Sequence, residues 1–91
     1  MIDEDKTERD ISRGAQAEAL MRNEVLQEGF DQLEAYYVQL WRSSPVRDVQ
    51  LREKLYLAID VVVKVRAHLA KVMADGHVAQ ADLNMREKMR R

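Results

Sequence analysis

The chain has 91 residues, 46% hydrophobic and 34% charged, with a net charge of −1 and no cysteine. That length supports one small domain, which buries only about 60–65% of the surface its unfolded chain exposes. The missing cysteines exclude disulfides, thiolate chemistry and thiolate metal sites, and the near-zero charge excludes a global field drawing the chain to nucleic acid or membrane.

With three Gly and one Pro among many Ala, Leu, Glu, Lys and Arg, the composition suits long helices. The opening Met1-Ile2-Asp3-Glu4-Asp5-Lys6 is acidic and polar, so no signal peptide is expected. Residues 1–12 are expected to form a flexible acidic arm, because charges dominate and Ile2 and Ile11 are too far apart to share a face. Residues 13–91 then form a single helical domain. A short helix is expected from about Arg13 to Arg22, with Ala15, Ala19 and Met21 or Leu20 facing inward.

Asn23 caps the next helix, and Glu24 in its first turn complements the macrodipole. Leu26, Phe30, Leu33, Tyr37 and Leu40 follow at alternating spacings of four and three, a heptad seam that Tyr36 and Trp41 widen. Gly29 interrupts this helix beside Phe30, which suits either a close backbone neighbour or a neutral accident. Ser43-Ser44-Pro45 ends it. Ser44 is a candidate cap for the following helix, with Pro45 at its first position, and Asp48 is a second candidate.

The third helix is expected to be the longest. Leu51, Leu55, Ala58, Val62, Val65, Leu69 and Val72 keep the four–three alternation, and Ile59, Val61, Val63 and Met73 lie beside it. Val61-Val62-Val63 loses side-chain freedom in a helix, so packing must hold it. The most apolar stretch, Leu55 to Val65, contains Asp60 and Lys64 and is about half the length of a membrane span. Gly76 after Asp75 suggests a left-handed C-cap. A last short helix from about Val78 would place Ala81, Met85 and Met89 on one side, ahead of a basic, fraying end.

Two seams joined by a short turn should fold back on each other. The expected fold is therefore all-α: a long antiparallel hairpin of about residues 23–42 and 46–75, flanked by short N- and C-terminal helices. Glu24, Glu28, Asp31 and Glu34 of one helix then lie beside Lys64, Arg66 and Lys71 of the other, which selects the antiparallel orientation. The apolar face of the third helix is wider than one partner can cover. Either the N-terminal helix or a second copy must cover Ile59, Val61, Val63 and Met73, and self-association is the preferred reading.

No constellation for catalysis emerges. His68 and His77, the only histidines, lack a metal-ligand spacing, and His77 is expected to bond the last carbonyls of the third helix. Glu24 and Glu28 share a helix face without the Glu-x-x-His partner of a di-metal bundle, so a solvated acidic face is the expectation. No nucleophile elbow or phosphate-cradling loop is present in the sequence. The expectations are thus no enzyme activity, no cofactor and no metal. Tyr36, Trp41 and Tyr56, with Tyr37, cluster near the turn, either closing the core or offering a partner patch. Arg86, Lys88, Arg90 and Arg91 are candidate phosphate contacts without a DNA-reading module around them.

The run Asn23-Glu24-Val25-Leu26-Gln27-Glu28-Gly29-Phe30, with Leu33, Trp41-Arg42-Ser43-Ser44-Pro45, Asp48, Arg52-Glu53-Lys54-Leu55 and Asp75-Gly76-His77-Val78-Ala79, resembles short helical proteins from tailed-phage and prophage head or DNA-packaging regions. The resemblance covers about residues 15–83 and rests on caps, seam residues and a turn. Small terminase subunits, the best understood phage proteins with such a hairpin, form rings that recognise viral DNA and regulate the packaging motor. This sequence lacks their N-terminal helix-turn-helix, which leaves the oligomerisation analogy. The resemblance implies a self-associating assembly or adaptor protein with a phage or host protein partner, with a terminase-like DNA-binding subunit as the alternative. It also implies a cytoplasmic place, the host cytoplasm for a phage protein, with virion association a further expectation. No membrane association is expected.

Overall fold

The computed structural model describes residues 4–90. These form three helices, α1 (Glu4–Met21), α2 (Glu24–Ser43) and α3 (Val49–Met89), with no strand among the described residues. The fold is all-α. Its helices form two compact units: one from α1 with the part of α3 from His68 onward, the other from Asn23–Ala67. The sequence expectation of one domain over 13–91 thus gives way to two units, each built on its own stretch of α3.

In the first unit, α1 runs antiparallel to the end of α3, with Thr7 meeting Arg86 and Gly14 meeting Gly76. Helix α1 begins nine residues before the expected Arg13, so residues 4–12 are helix rather than a flexible arm; Met1, Ile2 and Asp3 lie outside the described residues. The reason is the kind of face α1 uses. Gly14 and Ala17 are buried, and Thr7, Ile11 and Met21 are half-buried around them. A face of small residues is invisible to a search for large apolar ones. Ala15, Ala19 and Leu20, expected inside, are exposed.

Gly76 faces that small-residue surface. It does not adopt the left-handed conformation of a C-cap, since no described glycine has positive φ. Helix α3 passes through it to Met89 without interruption, so the expected separate C-terminal helix is the end of α3. A side chain at Gly76 would collide with the backbone of α1, which explains a glycine in mid-helix despite its cost of about 1 kcal/mol. Ala79 is buried one turn on, while Ala81, Met85 and Met89 point to solvent.

In the second unit, α2 and residues 49–67 of α3 form the expected antiparallel hairpin. Asn23 caps α2, its side-chain oxygen accepting from the Leu26 N–H at 2.9 Å. Ser44 ends α2 in extended conformation instead of starting α3: its N–H and its hydroxyl both donate to the Trp41 carbonyl. Asp48 takes the N-cap of α3, accepting from the Leu51 N–H at 3.2 Å. Pro45 falls in the turn, where its carbonyl accepts from the Asp48 N–H.

A candidate interaction face on the hairpin

The heptad pattern of the hairpin resolves into three parallel rows on each helix, because residues seven apart lie on nearly the same line of a helix. The inner rows are Phe30 and Tyr37 on α2, and Leu55 and Val62 on α3. Leu55 and Val62 are only 9% and 6% exposed, the buried apolar side chains of this unit among the described residues.

A second pair of rows closes one flank with polar groups. They are Gln27, Glu34 and Trp41 on α2, and Arg52, Ile59 and Arg66 on α3. Arg66 donates to Asp31, to Glu34 at 3.1 Å and to Gln27 at 3.5 Å, and its guanidinium lies 5.5 Å from the Phe30 ring. The hydrogen bond to Asp31, more than any other influence, holds Arg66 protonated above its usual range. Nearer the turn, Arg52 donates to the Trp41 carbonyl at 3.2 Å and to the Ser44 hydroxyl at 3.0 Å, and stacks over the Trp41 ring at 4.7 Å. A cation at the C-terminus of α2 also complements that helix's dipole.

These contacts fix the opposite flank by elimination. Since Arg66 and Arg52 reach α2 on one side, the remaining rows must share the other side: Leu26, Leu33 and Leu40 on α2, and Leu51, Ala58 and Val65 on α3. Leu33, Leu40, Leu51 and Val65 are 37–43% exposed. Farther around the same flank, Val25 and Tyr36 on α2 and Leu57 and Val61 on α3 are more exposed still. The hairpin therefore has a sealed polar flank and an open apolar one.

The sequence-predicted residues divide along this geometry. Val61 lies on the open flank. Ile59 and Val63 lie on the Arg66 flank, half-buried and exposed respectively, and Met73 is half-buried in the other unit. The four do not make one face, because a quartet chosen from lateral neighbours of a seam straddles it. Tyr36 and Tyr56 are both exposed but sit on opposite flanks, and Trp41 is partly covered by Arg52, so the expected aromatic patch is not one surface either. Tyr36 instead pairs with Tyr37, ring centroids 5.7 Å apart.

The tail arginines are engaged within the first unit. Arg86 donates to the Thr7 hydroxyl at 3.4 Å, and Arg90 stands 3.7 Å from Glu4. Lys88 is exposed, and Arg91 lies outside the described residues. His77 is not at a helix end; its Nε2 lies 3.7 Å from Glu18 on α1. Among the described residues no group of three or more His, Cys, Asp or Glu side chains is placed to hold a metal, and no helix is long and apolar enough to cross a membrane. Arg66 stands where the sequence expectation put it, beside Asp31 and Glu34, but the Arg52 clamp on Trp41 and Ser44 is not among the sequence expectations. The seven-residue register of Arg52 with Ile59 and Arg66 is the signal that points to it.

Compared with known proteins, the chain matches no family model, no curated protein and no solved structure.

Proposed function

We propose that this chain is a non-enzymatic assembly or adaptor protein that works by self-association through its hairpin. One observation carries the reading. Half of the hairpin's heptad pattern, the row of Leu33, Leu40, Leu51 and Val65, stays 37–43% exposed instead of being buried in the chain's core. A two-stranded coiled coil would turn both kinds of seam position inward. A hairpin that turns only one kind inward is half of a larger bundle, and contiguous apolar surface of this extent marks an interaction site on a monomer.

The resemblance to phage head and packaging proteins makes viral assembly the setting to test first. The terminase-like DNA-binding alternative would rely on Arg86, Lys88, Arg90 and Arg91. Contacts of Arg86 with Thr7 and of Arg90 with Glu4 draw two of those groups toward α1, which favours the assembly reading. The test is solution mass by light scattering coupled to size exclusion. A discrete oligomer is expected, and a mass of 10.6 kDa across a wide concentration range would overturn the proposal.

A further inference from the structure

We infer that the occupant of the open flank is a second copy of this chain, so that two hairpins close one four-helix bundle. The inference rests on the assembly reading above and specifies its surface and its copy number.

Size suits this occupant. Helix α2, 20 residues long, extends about 30 Å, and two packed helices are about 20 Å across. The resulting face of roughly 600 Å² in projection is of the order of the 800 Å² of accessible surface that each partner buries in a standard interface. A copy offers the same row of Leu33, Leu40, Leu51 and Val65, so a two-fold axis sets leucine and valine against leucine and valine.

The opposite flank is disfavoured as an interface, because covering it would desolvate the Arg66–Asp31–Glu34 cluster.

Gly29 agrees with this placement. It lies on the open side of α2, one turn before Leu33, and a side-chain carbon there would have nothing within 4 Å. At Gly14 and Gly76 the missing side chain admits another helix backbone. At Gly29 nothing among the described residues uses the space, and a partner helix can.

Val63 and Val65 provide a matched test: one residue type, one helix, 45% and 43% exposed, on opposite flanks. Light scattering on the full chain should give twice 10.6 kDa for the native protein and for Val63→Glu. Val65→Glu should remain helical by circular dichroism while its association weakens by about tenfold or more, a loss typical of a charge placed in an interface core. Native-like mass for Val65→Glu, or dissociation by Val63→Glu alone, would overturn the inference while leaving self-association intact. A monomeric native protein would overturn both. Should Val65→Glu unfold, single-cysteine variants replace it, the chain having no other cysteine. A thiol from Val65→Cys should react more slowly than one from Val63→Cys, with the protection lost on dilution; equal rates would count against the face.

Discussion

A side-chain carbon built on Gly14 would stand 2.7 Å from the Gly76 Cα, and one built on Gly76 would stand 2.7 Å from the Gly14 Cα. Both obstacles are backbone, which cannot rotate away as a side-chain end can. The first unit therefore packs α1 on α3 so closely that neither glycine leaves room for a side chain, with Ala17 and Ala79 buried beside the crossing.

Alanine at either glycine should force the helices apart. Gly14→Ala and Gly76→Ala each gain up to about 1 kcal/mol of helix propensity. They should still lose about 1–3 kcal/mol net, the cost of overpacking a tight contact. Chemical denaturation followed by circular dichroism measures this, and an unchanged or raised midpoint would contradict the packing.

Gly29→Ala should have the opposite sign. With nothing among the described residues within 4 Å of the added methyl, the substitution should stabilise the dissociated protein by about 0.5–1 kcal/mol. Melts at low concentration test the gain. Light scattering at high concentration should show weaker association, because Gly29 lies on the open flank.

Much of this was legible in the sequence, and the limits have physical causes. The hairpin, the Asn23 cap and the pairing of Arg66 with Asp31 and Glu34 followed from periodicity and capping chemistry, whereas Lys64 and Lys71, expected beside the acidic side chains of α2, pair with Asp60 and Asp75 on their own helix. The seam over Leu26, Phe30, Leu33, Tyr37 and Leu40 was legible as a stripe, but its division into an inner row and an open row was not, because a heptad pattern does not say how many helices share it. Gly76 after Asp75 looked like a stop since glycine serves both caps and close crossings, and only the position of Gly14 in space distinguishes them. Helix α1 before Arg13 was hidden because the residues that meet α3 there, Thr7, Asp10 and Ile11, include one large apolar side chain and make no apolar row.

Arg66 should act as the seal of the polar flank. Arg66→Met removes the pairs to Asp31 and Glu34 and should lower the melting temperature at low salt. At about 1 M salt, where the Debye length falls to about 3 Å, the gap from the native protein should narrow. Arg66→Lys should recover only part of the loss, since a point charge cannot serve both carboxylates as the forked guanidinium does. A salt-independent gap would mean that Arg66 acts through packing on Phe30 alone.

Arg52 should hold the end of α2. Arg52→Ala removes the donor to the Trp41 carbonyl and the Ser44 hydroxyl along with the stacking on Trp41, a loss of about 1–3 kcal/mol. Trp41 is the sole tryptophan, so its emission reports on this site directly. A red shift with helicity largely retained is expected. An unshifted emission would show that Arg52 does not cover the ring.

The most direct test of the central claim is the solution mass of the native chain over a hundredfold range of concentration. The account predicts a discrete species at twice 10.6 kDa that dissociates on dilution. A single species of 10.6 kDa at every concentration would contradict it, since the row of Leu33, Leu40, Leu51 and Val65 would then remain open to water.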